Sequence, residues 1–379
     1  MSLFPVYPLY DITPVKAKDV WVYDENGVNY LDMYGGHAVI SIGHSHPDYV
    51  KAVSDQVSKL GFYSNAIQNP LQEKLATDLE RVSGCKGYQL FLCNSGAEAN
   101  ENALKLASFH TGKSRVLAFK KSFHGRTSAA VAATDDPKIV APINAQQLVD
   151  FVALGNLDSV ESILKKGETC AIIVETIQGI GGLDESTSAF YQGLEKLAKQ
   201  HHVLLVADEI QCGYGRTGDF FAFQKHGITP DIISLAKGMG NGFPVGGILI
   251  HPSFKATFGM LGTTFGGNHL ACAAALSVLK VMEEEKLMPR VKEVSQYFME
   301  KAQDLPQLKQ VKGRGLMLGL EFDFPIANLR KELIFKHHIF TGNAKNPNLL
   351  RILPPLTVNK DHVNYFFKAL KEALADLPH

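Results

Sequence analysis

Val203-Leu-Leu-Val-Ala-Asp208 and Asp231-Ile-Ile-Ser-Leu-Ala-Lys237 are short apolar runs that each close on a charged side chain. Their apolar character is continuous rather than alternating, as in strands covered on both faces. Tyr88-Gln-Leu-Phe-Leu-Cys93, Arg115-Val-Leu-Ala-Phe119, Cys170-Ala-Ile-Ile-Val-Glu175 and Gly246-Gly-Ile-Leu-Ile250 read the same way. Amphipathic stretches predict helices over 97–109, 157–165 and 189–200, the last with Leu194, Leu197 and Ala198 on one face. Strands alternating with helices predict an α/β fold around a mostly parallel sheet. Its chemistry is then expected at the carboxyl ends of the strands, where Asp208, Lys237 and Asn94-Ser-Gly96 fall.

After Asn268 the texture changes. Helices are expected over 269–285, 291–304, 329–337 and 360–374, with a strand pair over 311–323 around Gly313-Arg-Gly315. This predicts a smaller α+β domain over 270–379 beside a large domain over 46–269. Val20-Trp-Val-Tyr-Asp-Glu-Asn-Gly-Val-Asn-Tyr-Leu31 carries a hairpin signal with Asn26-Gly27 in the turn. The segment 1–45 that contains it is expected to pack with the small domain.

The 379 residues are 45% hydrophobic and 20% charged, and 38 Lys+Arg balance 38 Asp+Glu. Such a chain offers no electrostatic partner for nucleic acid or an anionic membrane. No apolar run approaches the ~20 residues of a membrane span. The five cysteines have neither a disulfide framework nor metal-ligand spacing. Met1-Ser-Leu-Phe-Pro-Val-Tyr7 lacks a basic stretch followed by an apolar one, so no signal peptide and a cytoplasmic location are expected.

Several strand-end segments carry candidate chemistry. Asn94-Ser-Gly-Ala-Glu-Ala-Asn100 opens a helix, whose free N–H groups can hold a phosphate; an ordinary N-cap explains it equally. Phe123 can stack on a flat ring or fill core, and Arg126 can clamp a carboxylate or lie on the surface. Asp208 and Glu209 point to opposite sides of their strand, so one of them faces the site. Asp208 is chosen because Gln211 follows it in the turn; for Glu209 a structural ion pair is the alternative. A lysine and an aspartate at neighbouring strand ends suit pyridoxal 5′-phosphate (PLP): the amine condenses with the aldehyde, and the carboxylate keeps the ring nitrogen protonated. A hydroxyl in Thr263-Thr-Phe-Gly-Gly-Asn268 can reach a phosphate.

Two patterns mislead. Gly213-Tyr-Gly-Arg-Thr-Gly218 matches G-x-G-x-x-G, but Asp219-Phe-Phe-Ala-Phe and Pro230 follow where a dinucleotide site needs an apolar helix. His44 and His46 lack a third metal ligand and read as a turn before Pro47.

Taken in order, these segments resemble the class III (ω-amino acid) aminotransferases of fold-type I, and within them the N-acetylornithine/N-succinylornithine aminotransferases. The matching stretches run from Val20 to Pro355. They include Tyr30-Leu-Asp-Met-Tyr-Gly-Gly36, Gly43-His-Ser-His-Pro47, Asn94-Ser-Gly-Ala-Glu-Ala-Asn-Glu101, Phe123-His-Gly-Arg-Thr127, Ala207-Asp-Glu-Ile-Gln-Cys-Gly-Tyr-Gly-Arg-Thr-Gly218, Ala236-Lys-Gly-Met-Gly-Asn-Gly242 and Arg351-Ile-Leu-Pro-Pro-Leu356. The resemblance implies a large domain with a seven-stranded sheet and PLP carried by Lys237. It implies that Asp208 meets the pyridine nitrogen, Gln211 the ring oxygen and Phe123 the ring face, with Ser95, Gly96 and Ala97 at the phosphate. Thr264 is expected to reach the phosphate of a neighbouring subunit, making the active unit a homodimer with active sites at its interface. Arg126 and Thr263 are expected to contact the acylornithine, and Arg351 the α-carboxylate of glutamate or 2-oxoglutarate. No metal is implied.

The family usually reads Glu-Pro-Ile-Gln-Gly-Glu-Gly-Gly where this chain has Glu175-Thr-Ile-Gln-Gly-Ile-Gly-Gly182. Ile180 stands where relatives carry a glutamate that covers the arginine at 351. An uncovered Arg351 leads to the expectation that N-succinylornithine, with its second carboxylate, serves at least as well as N-acetylornithine. Rival readings are another ω-amino-acid aminotransferase (ornithine, 4-aminobutyrate or a diamine), a non-catalytic protein of the same fold, and the dehydrogenase of the glycine pattern.

Overall fold

The computed structural model describes residues 1–377. Its centre is a seven-stranded sheet in the order Gln89–Cys93, Gly246–Ile250, Ile232–Leu235, Leu204–Asp208, Thr169–Glu175, Arg115–Phe119 and Val149–Val152. Gly246–Ile250 runs antiparallel to both neighbours, and the strands from Ile232–Leu235 to Val149–Val152 pair in parallel. The three middle strands are buried at every position, which is why their sequences are continuously apolar. The seventh strand, Val149–Val152, was missing from the sequence reading. It is a half-buried edge interrupted by Asp150, so it lacks the apolar run that marks the others.

Register aligns the functional ends. Glu175 pairs with Asp208, and Asp208 with Ser234, three residues before Lys237. The helix Gly96–Thr111 begins just after the first sheet strand and buries Ala99, Asn100, Ala103 and Leu104 as it packs on the sheet. Ser95 caps it, its Oγ accepting from Glu98 N at 3.2 Å, and Gly112 ends it in the left-handed conformation.

The N-terminal hairpin pairs Trp21–Asp24 with Asn29–Asp32, and Gly27 takes φ 79° in its turn. Pro14–Lys18 adds on one side and Ile339–Phe340, in parallel, on the other. A second small sheet joins Leu308–Arg314, Met317–Phe322 and Leu349–Ile352, and the last of these carries Arg351. Helices Leu287–Gln303, Ala327–Phe335 and Lys360–Asp376 complete this part, whereas His269–Glu284 packs on Pro47–Val57 and Pro70–Ser83. Two further helices, Pro47–Val57 and Pro70–Ser83, were not read from sequence. Among the described residues no helix is long and apolar enough to cross a membrane.

Candidate active site

A cavity of about 570 Å³ opens at the carboxyl ends of the middle strands. Ser95, Gly96, Ala97, Phe123, Arg126, Asp208, Gln211, Lys237 and Arg351 all line it, so the fold gathers nine of the eleven expected residues from distant parts of the chain.

Lys237 follows Ile232–Leu235 and takes a left-handed backbone conformation, φ 46°. Such a conformation costs a non-glycine residue about 1–2 kcal/mol and marks a position held by its surroundings. Burial pushes the amine's pKa down, against the opposing pull of Asp208 and Glu175, and the Arg351 charge adds to the lowering. A larger fraction of neutral amine results, the form that condenses with an aldehyde.

Asp208 is almost fully buried. Its Oδ2 takes hydrogen bonds from Asn100 Nδ2 at 2.8 Å and His124 Nδ1 at 2.7 Å, and its Oδ1 from Ile210 N at 3.1 Å. Asn100 also donates to His124 O at 2.7 Å, so the three side chains form one unit. Neither His124 nor Asn100 was singled out in the sequence, although both lie inside quoted motifs. Asn100 follows Gly96 by one helical turn and therefore shares its face, which was the available signal. Glu175 was also missed: it lines the cavity, accepts from Phe123 N at 2.9 Å and Gly179 N at 2.8 Å, and burial raises its pKa.

The neighbouring Glu209 points the other way, as strand alternation requires. The suggested ion pair is corrected: Glu209 accepts from Thr176 Oγ1 at 2.8 Å, Ala222 N at 2.7 Å and Phe223 N at 3.2 Å, capping the short helix Ala222–His226. Burial pushes its pKa up to about 7.

Arg351 is 1% exposed, yet its guanidinium meets only neutral partners. It donates to Asn343 O at 2.5 Å, Gly179 O at 3.1 Å, Gln211 Oε1 at 3.4 Å and Tyr34 Oη at 3.0 Å. Ile180 lines the wall nearby, its carbonyl taking Lys345 N at 2.9 Å. Gly35, Gly36, His37 and Ala38 form a left-handed turn, with φ between 55° and 70°. Asp32 Oδ1 anchors the turn by accepting from Tyr34 N at 2.9 Å and Gly35 N at 2.7 Å.

Thr263 and Thr264 do not line the cavity of their own chain. Thr263 Oγ1 accepts from Gly266 N at 3.0 Å and Asn94 Nδ2 at 3.4 Å, and Thr264 is exposed. The glycine pattern 213–218 is a knot of turns. Its buried Arg216 donates to the carbonyls of Leu316 (3.2 Å) and Pro354, which ties the large sheet's turn to the C-terminal part. His44 pairs with Asp32 at 2.8 Å, and His46 with Glu285 at 2.9 Å while capping the helix at Pro47. The described residues contain no cluster able to hold a metal.

The cavity has the parts that PLP needs. The free N–H groups at the start of Gly96–Thr111 face one end, suited to a phosphate. A Cβ on Gly96 would sit 2.8 Å from Ile210 Cγ2, and one on Gly125 2.8 Å from Ala97 Cβ, so glycine lets the walls close in at both positions. Asp208 is a fixed hydrogen-bond acceptor in the wall, Phe123 offers an aromatic face and Lys237 an amine, a set that fits a ring with a protonated nitrogen and an aldehyde.

The seven-stranded, mostly parallel sheet with its covering helices is the fold of the PLP-dependent transferases of fold-type I. The family model "Aminotransferase class-III" matches residues 6–374, and the chain belongs to that family, whose members work with PLP. It is 39% identical to the acetylornithine aminotransferase of Bacillus subtilis (strain 168), over 99% of this chain and 98% of the relative. It is 42% identical to that of Aquifex aeolicus (strain VF5), over 95% and 96%. Among solved structures, the ornithine aminotransferase of Toxoplasma gondii ME49 superposes with a TM-score of 0.90 at 27% identity, covering 98% of this chain and 92% of that one.

Proposed function

We propose that this aminotransferase moves the δ-amino group of an N2-acylornithine to 2-oxoglutarate, giving the N-acylglutamate 5-semialdehyde and glutamate, in arginine biosynthesis. The single observation that carries the reading is one cavity lined together by Lys237, Asp208, the start of Gly96–Thr111 and a buried Arg351 without an acidic partner. The similarity to acetylornithine aminotransferases supports the substrate class.

PLP, when bound, supplies an aldehyde that takes up the amino group and a cationic ring that draws electrons from the neighbouring carbon. Lys237 Nζ would hold the aldehyde at rest. Free of the aldehyde, the same amine would serve as the base that takes the proton from the δ-carbon of the donor. Asp208 would accept a hydrogen bond from the ring nitrogen and so keep that nitrogen protonated. His124 and Asn100 fix the carboxylate, so no reorientation is needed as charge develops. Ser95, Gly96 and Ala97 would hold the phosphate, Phe123 would pack on the ring and Gln211 would meet its oxygen. Arg126 contacts the acylornithine, and Thr263 reaches it in the cavity of the partner copy. Arg351 takes the α-carboxylate of glutamate or 2-oxoglutarate with its planar fork.

The working unit is a homodimer in the cytoplasm, with Thr264 completing the phosphate site of the partner copy. The position of Thr263 and Thr264 outside their own cavity supports this, as do the exposed Phe62, Phe258 and Phe265 nearby. Residues 46–269 form the cofactor-binding domain, with 270–379 as the small domain on which segment 1–45 packs.

The test is glutamate formation by the PLP-loaded protein from 2-oxoglutarate and each of N2-acetylornithine, N2-succinylornithine, ornithine and 4-aminobutyrate. The acylated donors are expected to have the highest kcat/KM. Faster turnover of ornithine or 4-aminobutyrate would overturn the substrate assignment.

A further inference from the structure

A guanidinium has five N–H groups and can only donate. Arg351 commits four of them: Nε to Asn343 O at 2.5 Å, Nη1 to Gly179 O at 3.1 Å and Gln211 Oε1 at 3.4 Å, and Nη2 to Tyr34 Oη at 3.0 Å. One N–H, on Nη2, is left over. A carboxylate bound by both prongs of the fork needs two. One of the present partners must therefore give way to it.

Gln211 is the partner placed to do so. It lines the cavity together with Arg351, whereas Asn343, Gly179 and Tyr34 do not. A ligand that reaches Arg351 from the cavity thus meets the Gln211 amide first. Its contact is the longest of the four, and its side chain is only half-buried. The backbone beneath is fixed by Ile210 N to Asp208 Oδ1 at 3.1 Å and Gly213 N to Glu209 O at 3.0 Å, which leaves the side chain as the part that turns.

The orientation of the amide is forced. Oε1 faces a group that only donates, and Nε2 faces His37 O at 3.2 Å, which only accepts. A flipped amide would set N–H against N–H and oxygen against oxygen. The second N–H of Nε2 stays free for the oxygen of a bound ring. Position 179 is shaped for this arrangement: a Cβ there would stand 1.9 Å from Gln211 Oε1, so the amide oxygen reaches Arg351 only past a glycine. The next residue, Ile180, has no acceptor in its side chain.

We propose that Gln211 is a neutral cover on Arg351, displaced from Nη1 by the α-carboxylate of the amino acceptor. The cover returns when a donor with no carboxylate at that end occupies the site. The exchange costs a neutral partner's hydrogen bond rather than an ion pair, so one guanidinium serves both half-reactions. The inference rests on the reading of Arg351 as the carboxylate site and deepens it.

The experiment is calorimetric titration of the PLP-loaded protein with glutarate, a dicarboxylate with neither an amino nor a keto group. Wild type is compared with Gln211→Leu, Gly179→Ala, Gln211→Glu and Arg351→Met. Gln211→Leu should bind glutarate about threefold to tenfold more tightly, because an N–H left without a partner gains one. Gly179→Ala should tighten binding in the same direction, since its Cβ takes the place of the amide oxygen while Gln211 itself remains. Gln211→Glu should weaken binding about tenfold or more, as an anion then holds the guanidinium. A residue that only supported the fold would weaken binding when lost. Weaker or unchanged binding in Gln211→Leu and Gly179→Ala overturns the proposal. If wild type and Arg351→Met bind glutarate alike, or neither binds it, the reading of Arg351 as the carboxylate site itself fails and takes this inference with it.

Discussion

The two ends of the cavity are built by different means. At the sheet end, Asp208, Glu175 and Lys237 sit on or just past buried parallel strands, and Asn100 and His124 hold Asp208 from two sides. At the rim, His37, Ile180 and Arg351 come from a left-handed turn, a loop and the edge of a second sheet, and Arg351 donates to two backbone carbonyls and two neutral side chains. The sheet end is rigid, as suits reaction steps common to every substrate. The rim can change by single residues without disturbing the strands, as suits choice among substrates. Mutations at the first end should therefore act on kcat, and those at the second on KM and on ratios between substrates.

The strongest attack on this division is Lys237→Ala, which should bring turnover to background and remove the visible absorbance of the lysine-bound cofactor. Residual steady-state activity near wild type would refute the role of Lys237. Asp208→Asn should keep PLP but raise the barrier by a few kcal/mol, about a hundredfold or more in kcat. A change confined to KM would place Asp208 at the wrong end. Arg351→Lys keeps the charge but loses the planar fork, so KM for 2-oxoglutarate should rise roughly tenfold while kcat changes less.

The smallest effect concerns Glu209, the neighbour that faces away from the cavity. Its pKa is about 7 in the fold against an ordinary 4.5, so the folded state binds this proton more tightly than the unfolded one. Its contribution to stability is complete below pH 4.5 and is lost as pH rises through about 7. Glu209→Gln should flatten that segment of a Tm-against-pH curve, with an effect on the order of 3 kcal/mol or less, and leave KM alone. An unchanged curve would contradict the burial argument.

The sheet end was largely legible in the sequence because strand periodicity fixes where apolar runs stop, and Asp208 and Lys237 stand at such stops. Strand alternation also separated Asp208 from Glu209. The missing edge strand Val149–Val152 carries Asp150 and packs on one side, so it had no continuous apolar signature. His124 and Asn100 were overlooked because their importance lies in a hydrogen-bonded unit joining residues 24 and 108 positions apart along the chain. The rim was the least legible. Nothing in Tyr34-Gly-Gly-His-Ala38 announces four successive left-handed residues, since His37 and Ala38 ordinarily avoid that conformation. The reach of Arg351 to Tyr34 depends on tertiary packing between elements 317 residues apart.

The most direct measurement is borohydride reduction of the PLP-loaded protein followed by peptide mapping by mass spectrometry. The account predicts a pyridoxyl-phosphate mass on the peptide containing Lys237 and its disappearance when the protein is first exposed to an N2-acylornithine and freed of the released semialdehyde. Label on another lysine, or label at Lys237 that no donor removes, would contradict the assignment of this cavity as the site of transamination.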